Sequence, residues 1–235
     1  MSCDRFLLIL KCWHFANNLE DSGEDKLFKI RTILRPLVNS FQEYIIPGKN
    51  LIIDESMIHW RGVLDFASIH IKNKKHKYGV KLYKLCCVSG YILNFKIYTG
   101  KGDSSCGVGH AEAVINILMN PYFGIGRPPF CDNFYTTLNV AENILKNKTN
   151  RRCYPKSMNS KKLKKGEVYA LQKGNVKVIK WMDKRPVSML STCSNHNATL
   201  IEIGKTQRNG DAVKKPLCVL DYNNTKKGVD FRLVK

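Results

Sequence analysis

The chain has 235 residues, 43% of them hydrophobic, and its 39 lysines and arginines against 19 acidic residues give a net charge of +20. This composition predicts a globular protein with one large domain or two small ones. It excludes a membrane-spanning protein, because no apolar run approaches the roughly 20 residues of a transmembrane helix. So strong a positive field attracts polyanions, which makes nucleic acid the first partner to consider. The alternative is a highly charged soluble protein without a nucleic acid partner.

The basic residues recur along the chain, in segments 72–81, 146–152 and 161–167. This distribution favours a charged surface over a disordered basic arm. The nine cysteines include no C-x-x-C pair, so their spacing predicts neither a zinc site nor a disulfide scaffold. We therefore expect reduced thiols, as in the cytosol or nucleus. The six histidines show no metal-ligand spacing.

The first 50 residues are predicted to be helical. Ser2 is expected to begin a helix that carries Phe6, Ile9, Leu10 and Trp13 on one face. A second amphipathic helix is expected from about residue 24 to residue 44, kinked or divided at Pro36.

Strands are predicted to follow these helices. The apolar run 51–53 ends at Asp54, and the segment 78–100 is typical of a hairpin that turns at residues 89–90. A helix beginning near residue 109 is expected to bury Ala113, Ile117 and Leu118 and to stop at Pro121. A strand ending at Cys131 and a helix from residue 136 complete this part.

The second half begins with a polar, basic boundary from residue 149 to residue 165. A hairpin turning at residues 174–175, together with a third strand, predicts a small β insertion. Residues 194–215 are expected to form a polar loop and "PLCVLDYN" a short strand. The last residues are expected to open a helix.

An aspartate follows each of two predicted strands, 51–53 and 129–131. Carboxylates at corresponding strand ends share one rim of a sheet, where like charges need a cation to stay close. Hard oxygen ligands suit Mg²⁺ or Mn²⁺, and two such ions about 3.5–4 Å apart can act on a phosphodiester. Asp230 is the candidate third acid beside Asp54 and Asp132. The alternative for each one alone is a turn former or helix cap.

Several stretches in the same order resemble the catalytic region of piggyBac-type transposases and of cellular proteins derived from them. They are "LIIDESMIHWRG", "KYGVKLY", "YTGKGD", "GRPPFCDNFYTT", "LKKGEVYALQKGNVKVIKWMDKRPVSMLST" and "PLCVLDYNNTKKGVD". The resemblance implies an α/β fold: a ribonuclease H-like mixed sheet with flanking helices, an N-terminal helical segment and a small β-rich insertion. It also implies excision of double-stranded DNA at transposon ends and integration at TTAA targets by three aspartates. By their positions in these motifs, Asp54, Asp132 and Asp230 match the three aspartates, which are expected to be catalytic and to bind the metal ions.

The resemblance also implies supporting roles for other side chains. Glu55, Asn133 and Tyr135 are expected to support the metal rim, and the residues expected to contact DNA phosphates are Lys74, Lys75, Lys77 and Lys81. A solvated basic face is the alternative for these lysines. Trp60 and Trp181 are candidates for stacking on an unpaired base, with a place in the core as the alternative. The resemblance likewise implies a nuclear protein that binds two Mg²⁺ or Mn²⁺ ions and forms a homodimer.

The predicted division is an N-terminal helical segment (1–48), the first part of the core (49–150), a linker with the β insertion (151–215) and the last part of the core (216–235). The chain ends five residues after Asp230, so we expect impaired DNA cleavage and strand transfer. Two alternatives to an enzyme stay open. One is a non-catalytic DNA-binding or partner-binding protein, and the other is an unfolded remnant.

Overall fold

The computed structural model describes residues 1–60, 79–100, 102, 103, 105, 107, 109–127, 129–135, 156–206, 210 and 212–226. The helices in these ranges are α1 (Cys3–Cys12), α2 (Phe28–Tyr44), α3 (His110–Met119), α4 (Lys156–Ser160) and α5 (Leu217–Thr225), with 3₁₀ helices at Asn18–Glu20, Asn120–Tyr122 and Asn133–Tyr135. The strands are β1 (Leu51–His59), β2 (Gly79–Cys87), β3 (Ile92–Ile97), β4 (Pro129–Cys131), β5 (Val168–Lys173), β6 (Val176–Met182), β7 (Pro186–Ser191), β8 (Leu200–Thr206) and β9 (Ala212–Pro216). This is a mixed α/β fold.

A mixed four-stranded sheet with the order β3-β2-β1-β4 organises the first part of the chain. β2 pairs antiparallel with β1 and with β3, whereas β1 and β4 run parallel. The predicted hairpin is confirmed, with Gly90 at φ 90° in its turn, a conformation that favours glycine. At the start of β2 a side chain on Gly79 would collide with the backbone oxygen of Ile58, so β1 and β2 need a glycine there.

Helix α3 packs on one face of this sheet. The buried core there joins Leu118 and its neighbours on α3 to the inward side chains of the strands, which are Leu51, Ile53, Tyr83, Leu85 and Leu93. The predicted helix and its end near Pro121 are confirmed. Its buried face differs from the prediction, because Val114 and Ile115 point inward while Ile117 is 43% exposed.

The N-terminal helices agree with the sequence in position but not in every detail. The Ser2 side chain accepts a hydrogen bond from the Arg5 N–H at 3.3 Å and so caps α1. Helix α2 continues through Pro36 to Tyr44, so Pro36 does not divide the helix, and the predicted kink at this proline stays a prediction. It lies against β3, where the Phe41 ring is 6.4 Å from that of Phe95. Among the described helices, none is long and apolar enough to cross a membrane.

The elements after residue 156 form a second group. Strands β5, β6 and β7 make an antiparallel sheet, which confirms the predicted hairpin and third strand. Ile179 and Trp181 of β6 pack with Cys218 and Val219 of α5 in a separate buried cluster. The described part of the predicted boundary 149–165 includes the short helix α4.

Two sequence predictions in this group are wrong. The supposed loop 194–215 contains β8 and β9, which pair antiparallel. Most of their side chains are half-buried or exposed, so the apolar alternation that marks a strand is weak. The supposed strand "PLCVLDYN" forms α5, which begins directly after Pro216. Short apolar runs fit a buried helix as well as a strand, and here the burial of Cys218 and Val219 on the sheet decides for the helix.

Candidate functional site

Two aspartates lie at corresponding positions on neighbouring parallel strands. The β1–β4 ladder pairs Leu51 with Pro129, Ile52 with Phe130 and Ile53 with Cys131, and Asp54 and Asp132 are the next residues on each strand. Neighbouring strands are about 4.8 Å apart. The structure therefore brings together two of the three acids that the sequence predicts, at the carboxyl end of the parallel ladder.

The position of Asp54 within its strand differs from the prediction. The sequence placed Asp54 at a strand end, whereas β1 continues to His59 and pairs with β2 over its whole length. Only the parallel pairing with β4 stops before Asp54. Its partner across the antiparallel ladder is Lys84, so a cation shares its face of the sheet.

The backbone around the two acids is held by local hydrogen bonds. The Asp54 Oδ1 atom accepts a hydrogen bond from the Glu55 N–H at 2.7 Å. Asp132 is exposed and directly precedes the 3₁₀ helix Asn133–Tyr135, whose Tyr135 N–H donates to the Asp132 carbonyl at 3.0 Å. Asp132 thus lies at a tight turn between a strand and a helix, where its carboxylate is accessible.

The charges of both acids act on the thiol of Cys131, the residue directly before Asp132. Burial raises the pKa of Cys131 to about 12, and the negative charges of Asp54 and Asp132 add to the effect. Burial also raises the pKa of Cys86 to about 11, again with a contribution from Asp54. Both thiols stay protonated near neutral pH, so they are poor ligands for a metal. Among the described side chains at this rim, the carboxylates of Asp54 and Asp132 are therefore the better candidates for binding a metal ion.

Glu55 lies on the opposite face of β1 from Asp54, because side chains alternate along a strand. Its Oε2 atom is 3.0 Å from the Lys81 ammonium and accepts a long hydrogen bond of 3.4 Å from the Tyr135 hydroxyl. The ammonium also lies 4.8 Å from the Tyr83 ring centroid and 5.5 Å from that of Phe134. Burial and the charge of Glu55 raise the pKa of Tyr135.

The remaining predicted site residues divide into two groups. Lys81 is the one predicted DNA-contacting lysine that the structure describes, and its side chain is only 15% exposed. Residues Asp230, Lys74, Lys75 and Lys77 lie outside the described residues. Their roles stay predictions.

The two carboxylates are suitable ligands for a divalent cation, but two protein ligands alone do not complete a metal site. Within the described ranges, no group of three or more His, Cys, Asp or Glu side chains is arranged to hold a metal ion. Asp54 and Asp132 supply hard carboxylate oxygens of the kind that Mg²⁺ prefers. A third protein ligand would have to come from another part of the chain, for which Asp230 is the predicted residue.

The two predicted stacking tryptophans have different environments. Trp181 is 4% exposed and belongs to the cluster of Ile179, so the core alternative is confirmed for it. Trp60 is 46% exposed at the end of β1 and stays a candidate for stacking.

A cluster of aromatic rings lies on the opposite face of the sheet from Asp54 and was not predicted from the sequence. His110 forms a 2.8 Å hydrogen bond with the Tyr83 hydroxyl and a 2.5 Å hydrogen bond with the Ser105 carbonyl. Its ring contacts Phe134 edge-on at 6.0 Å, and the Tyr83 and Tyr135 rings are 6.3 Å apart. The only signal in the sequence is a histidine after a glycine at a helix start.

A second polar cluster joins a serine and a histidine of the β insertion to an aspartate of α5. His196 bonds through Nδ1 to the Ser191 hydroxyl at 2.6 Å and through Nε2 to Asp221 at 2.9 Å. Ser191 is 8% exposed, and its oxygen also accepts the Cys193 N–H. Because the serine is buried, this cluster is suited to anchoring α5 to the strand β7 and not to attacking a substrate.

Comparisons with known proteins agree with this fold. The family model described as "Transposase IS4" matches residues 1–234. The cryo-EM structure of a piggyBac transposase synaptic complex with hairpin DNA is similar to this chain, with a TM-score of 0.81 and 27% sequence identity. The match covers 98% of this chain and 49% of the other, so the chain spans about half the length of that protein. The chain therefore belongs to the transposase IS4 family, as a piggyBac-type transposase region.

Proposed function

We propose that this chain is the DNA-processing region of a piggyBac-type transposase, with a ribonuclease H-like core that cleaves and joins double-stranded DNA with two Mg²⁺ or Mn²⁺ ions. The observation that supports the proposal is the in-register pairing of β1 with β4, because Asp54 and Asp132 directly follow its last pair, Ile53 and Cys131. The family match and the similarity to a transposase in complex with DNA support the same conclusion.

The chemistry assigns a role to each acid. Asp54 and Asp132 would hold the cations through carboxylate oxygens, with Asp230 as the third ligand. When bound, such ions would supply the Lewis acidity for attack of water or a 3′-hydroxyl on a DNA phosphodiester. The attacking oxygen forms the new bond to phosphorus while the bond to the leaving 3′-oxygen breaks. No covalent protein nucleophile is needed.

The basic surface supplies the affinity for DNA in this proposal. A net charge of +20 favours contacts with many phosphates. Lys74, Lys75 and Lys77 are the proposed phosphate contacts, together with Lys81 if it leaves Glu55. Transposon ends, TTAA targets, a homodimer and a nuclear location belong to the same proposal.

A second candidate function is DNA binding without catalysis. The charge favours this function equally, because contacts with phosphates need no metal site. Such a protein binds duplex DNA with a steep salt dependence and leaves the strands intact in Mn²⁺.

Cleavage of labelled duplexes distinguishes the two functions. The chain is incubated with DNA that carries a TTAA-flanked transposon end, with Mn²⁺ or with EDTA. We expect a Mn²⁺-dependent product from the wild type and none from Asp54→Asn or Asp132→Asn. Binding without any product from the wild type would support the second function and contradict the first.

A further inference from the structure

We infer that His110 is a positioning residue for the acid pair, acting through Tyr83 and the aromatic side chains that follow Asp132. The inference rests on the proposed function. It assigns a role to a side chain outside the acidic rim, on the opposite face of the sheet from Asp54.

The hydrogen bonds of His110 fix its protonation pattern. The Ser105 carbonyl can only accept, so the Nδ1 atom of His110 must carry the proton. In the neutral ring Nε2 is then the acceptor, and the Tyr83 hydroxyl donates to it. His110 is the first residue of α3, so its ring is held at the point where the loop enters the helix.

The loop before α3 fixes the Ser105 carbonyl, which binds the Nδ1 atom of His110. The Asp103 carboxylate accepts hydrogen bonds from the N–H and hydroxyl of Ser105, at 2.9 and 2.6 Å. It also accepts from Thr99 and from the Lys96 ammonium. Asp103 is 6% exposed. Ser105, whose carbonyl binds His110, is therefore fixed by a buried and fully engaged carboxylate.

Through Tyr83 and Phe134, His110 contacts the aromatic residues of the turn that follows Asp132. Tyr83 is 1% exposed and packs edge-on against Tyr135, while the ring of His110 packs against Phe134. Both aromatic residues belong to the 3₁₀ helix directly after Asp132, and the Tyr135 N–H bonds to the Asp132 carbonyl. A shift of His110 or Tyr83 would therefore shift the backbone of Asp132 relative to Asp54.

Groups that orient metal ligands from behind typically change metal affinity or activity 10–100-fold when removed. We expect His110→Ala and Tyr83→Phe each to weaken Mn²⁺ binding about 10-fold. The double variant should be little worse than either single one, because both remove the same link. His110→Gln offers an amide oxygen near the position of Nε2 and should restore part of the affinity. His14→Ala is the matched control, since His14 also bonds a carbonyl through Nδ1 but lies in an exposed segment.

Mn²⁺ binding to the full chain is measured by electron paramagnetic resonance, beside Asp132→Asn. In the metal-free proteins, hydrogen exchange of residues 129–135 is compared, and the His110 tautomer is read from its ¹⁵N shifts. Faster exchange at these residues in His110→Ala and the Nδ1–H tautomer in the wild type are the expected results. If the wild type does not bind Mn²⁺, this result would contradict the proposed function but not the structural role of His110, which the exchange data test. If the wild type binds Mn²⁺ and His110→Ala shows the same Mn²⁺ affinity and the same hydrogen exchange as the wild type, the role of His110 would be overturned.

Discussion

Ile53 and Cys131 are the last in-register pair of the parallel β1–β4 ladder, and an aspartate follows each of them. Two carboxylates one strand spacing apart repel each other unless positive charge lies nearby. Burial is the main cause of the raised pKa of Cys131, and the negative charges of Asp54 and Asp132 add to it. The pairing of β1 with β4 thus brings two acidic residues close together in a protein of net charge +20, with Lys84 across from Asp54 on β2.

A first prediction concerns stability linked to metal binding. Mn²⁺ that binds only the folded state should stabilise it, by about 2.7 kcal/mol at 100 times the dissociation constant. Asp132→Asn removes one charged ligand and should abolish most of this gain. Urea unfolding with Mn²⁺ and with EDTA measures both values.

The control for this prediction is Asp183→Asn. Asp183 is exposed in the turn between β6 and β7, away from the acid pair. Its variant should keep the full response to Mn²⁺. An equal response in Asp132→Asn would mean that the metal binds elsewhere.

A second prediction concerns the ion pair of Lys81 and Glu55, whose side chains are 15% and 27% exposed. Removing one partner leaves the other charge half-buried, so Lys81→Met should lower the free energy of unfolding by about 1–3 kcal/mol. The double variant Lys81→Met, Glu55→Gln should recover part of this loss. A double-mutant cycle in urea measures the coupling.

The pair of Lys214 and Glu202 is the exposed counterpart, at the same 3.0 Å but with side chains 51% and 62% exposed. Its coupling should stay within about 1 kcal/mol. Lys81→Met also checks the predicted DNA contact. A lysine that binds a phosphate contributes about one to the salt slope of DNA binding, and an unchanged slope would identify Lys81 as an internal partner of Glu55.

The sequence predicts those elements best whose signals are local. The hairpin of β2 and β3 needs a glycine with positive φ, and Gly90 lies between two clear apolar runs. The β insertion is equally clear, since Gly174 separates two strands of alternating pattern. The acid pair also follows from local signals, because each aspartate ends a short apolar run.

Elements that depend on tertiary packing were not predictable in this way. Helix α5 contains a short apolar run that also fits a strand, and its burial against Ile179 and Trp181 decides the outcome. The length of β1 is set by pairing with β2, which continues through polar residues as far as His59. Pro36 stays within α2, whose Phe41 packs on β3.

The surroundings of the acid pair are equally non-local. His110 meets Tyr83 across 27 residues of sequence, and Tyr135 meets Glu55 across 80. No spacing rule for histidines indicates such contacts, because they arise when α3 packs on the sheet. The resemblance to piggyBac-type transposases identifies the acids but gives no role to His110.

A third prediction concerns the His196 cluster. His196→Ala leaves the buried Ser191 hydroxyl and the Asp221 carboxylate without this hydrogen-bond partner. We expect the free energy of unfolding to fall by about 1–3 kcal/mol. Hydrogen exchange should increase in α5, which Asp221 connects to β7 through the imidazole. Ser194→Ala, in the exposed part of the same loop, should change neither quantity.

A fourth prediction concerns acid stability and Asp103. Burial alone would raise the pKa of this carboxyl, but hydrogen bonds from Lys96, Ser105 and Thr99 outweigh it and hold the pKa well below its ordinary value. A pKa that is lower in the folded state gives stability above the unfolded pKa of about 3.9, and this stability is lost as the pH falls through the folded value. Asp103→Asn removes the charge, so it should be less stable than the wild type at pH 7.

The difference between the two proteins should narrow as the pH falls below about 4, because the Asp103 carboxylate of the unfolded wild type then takes up a proton while that of the folded protein stays charged. Urea unfolding at intervals from pH 7 to pH 3 measures the difference. Asp21→Asn is the control, since Asp21 is only half-buried and accepts one local hydrogen bond, from Gly23. A constant difference between wild type and Asp103→Asn across this range would mean that Asp103 stabilises the loop through its shape and not through its charge.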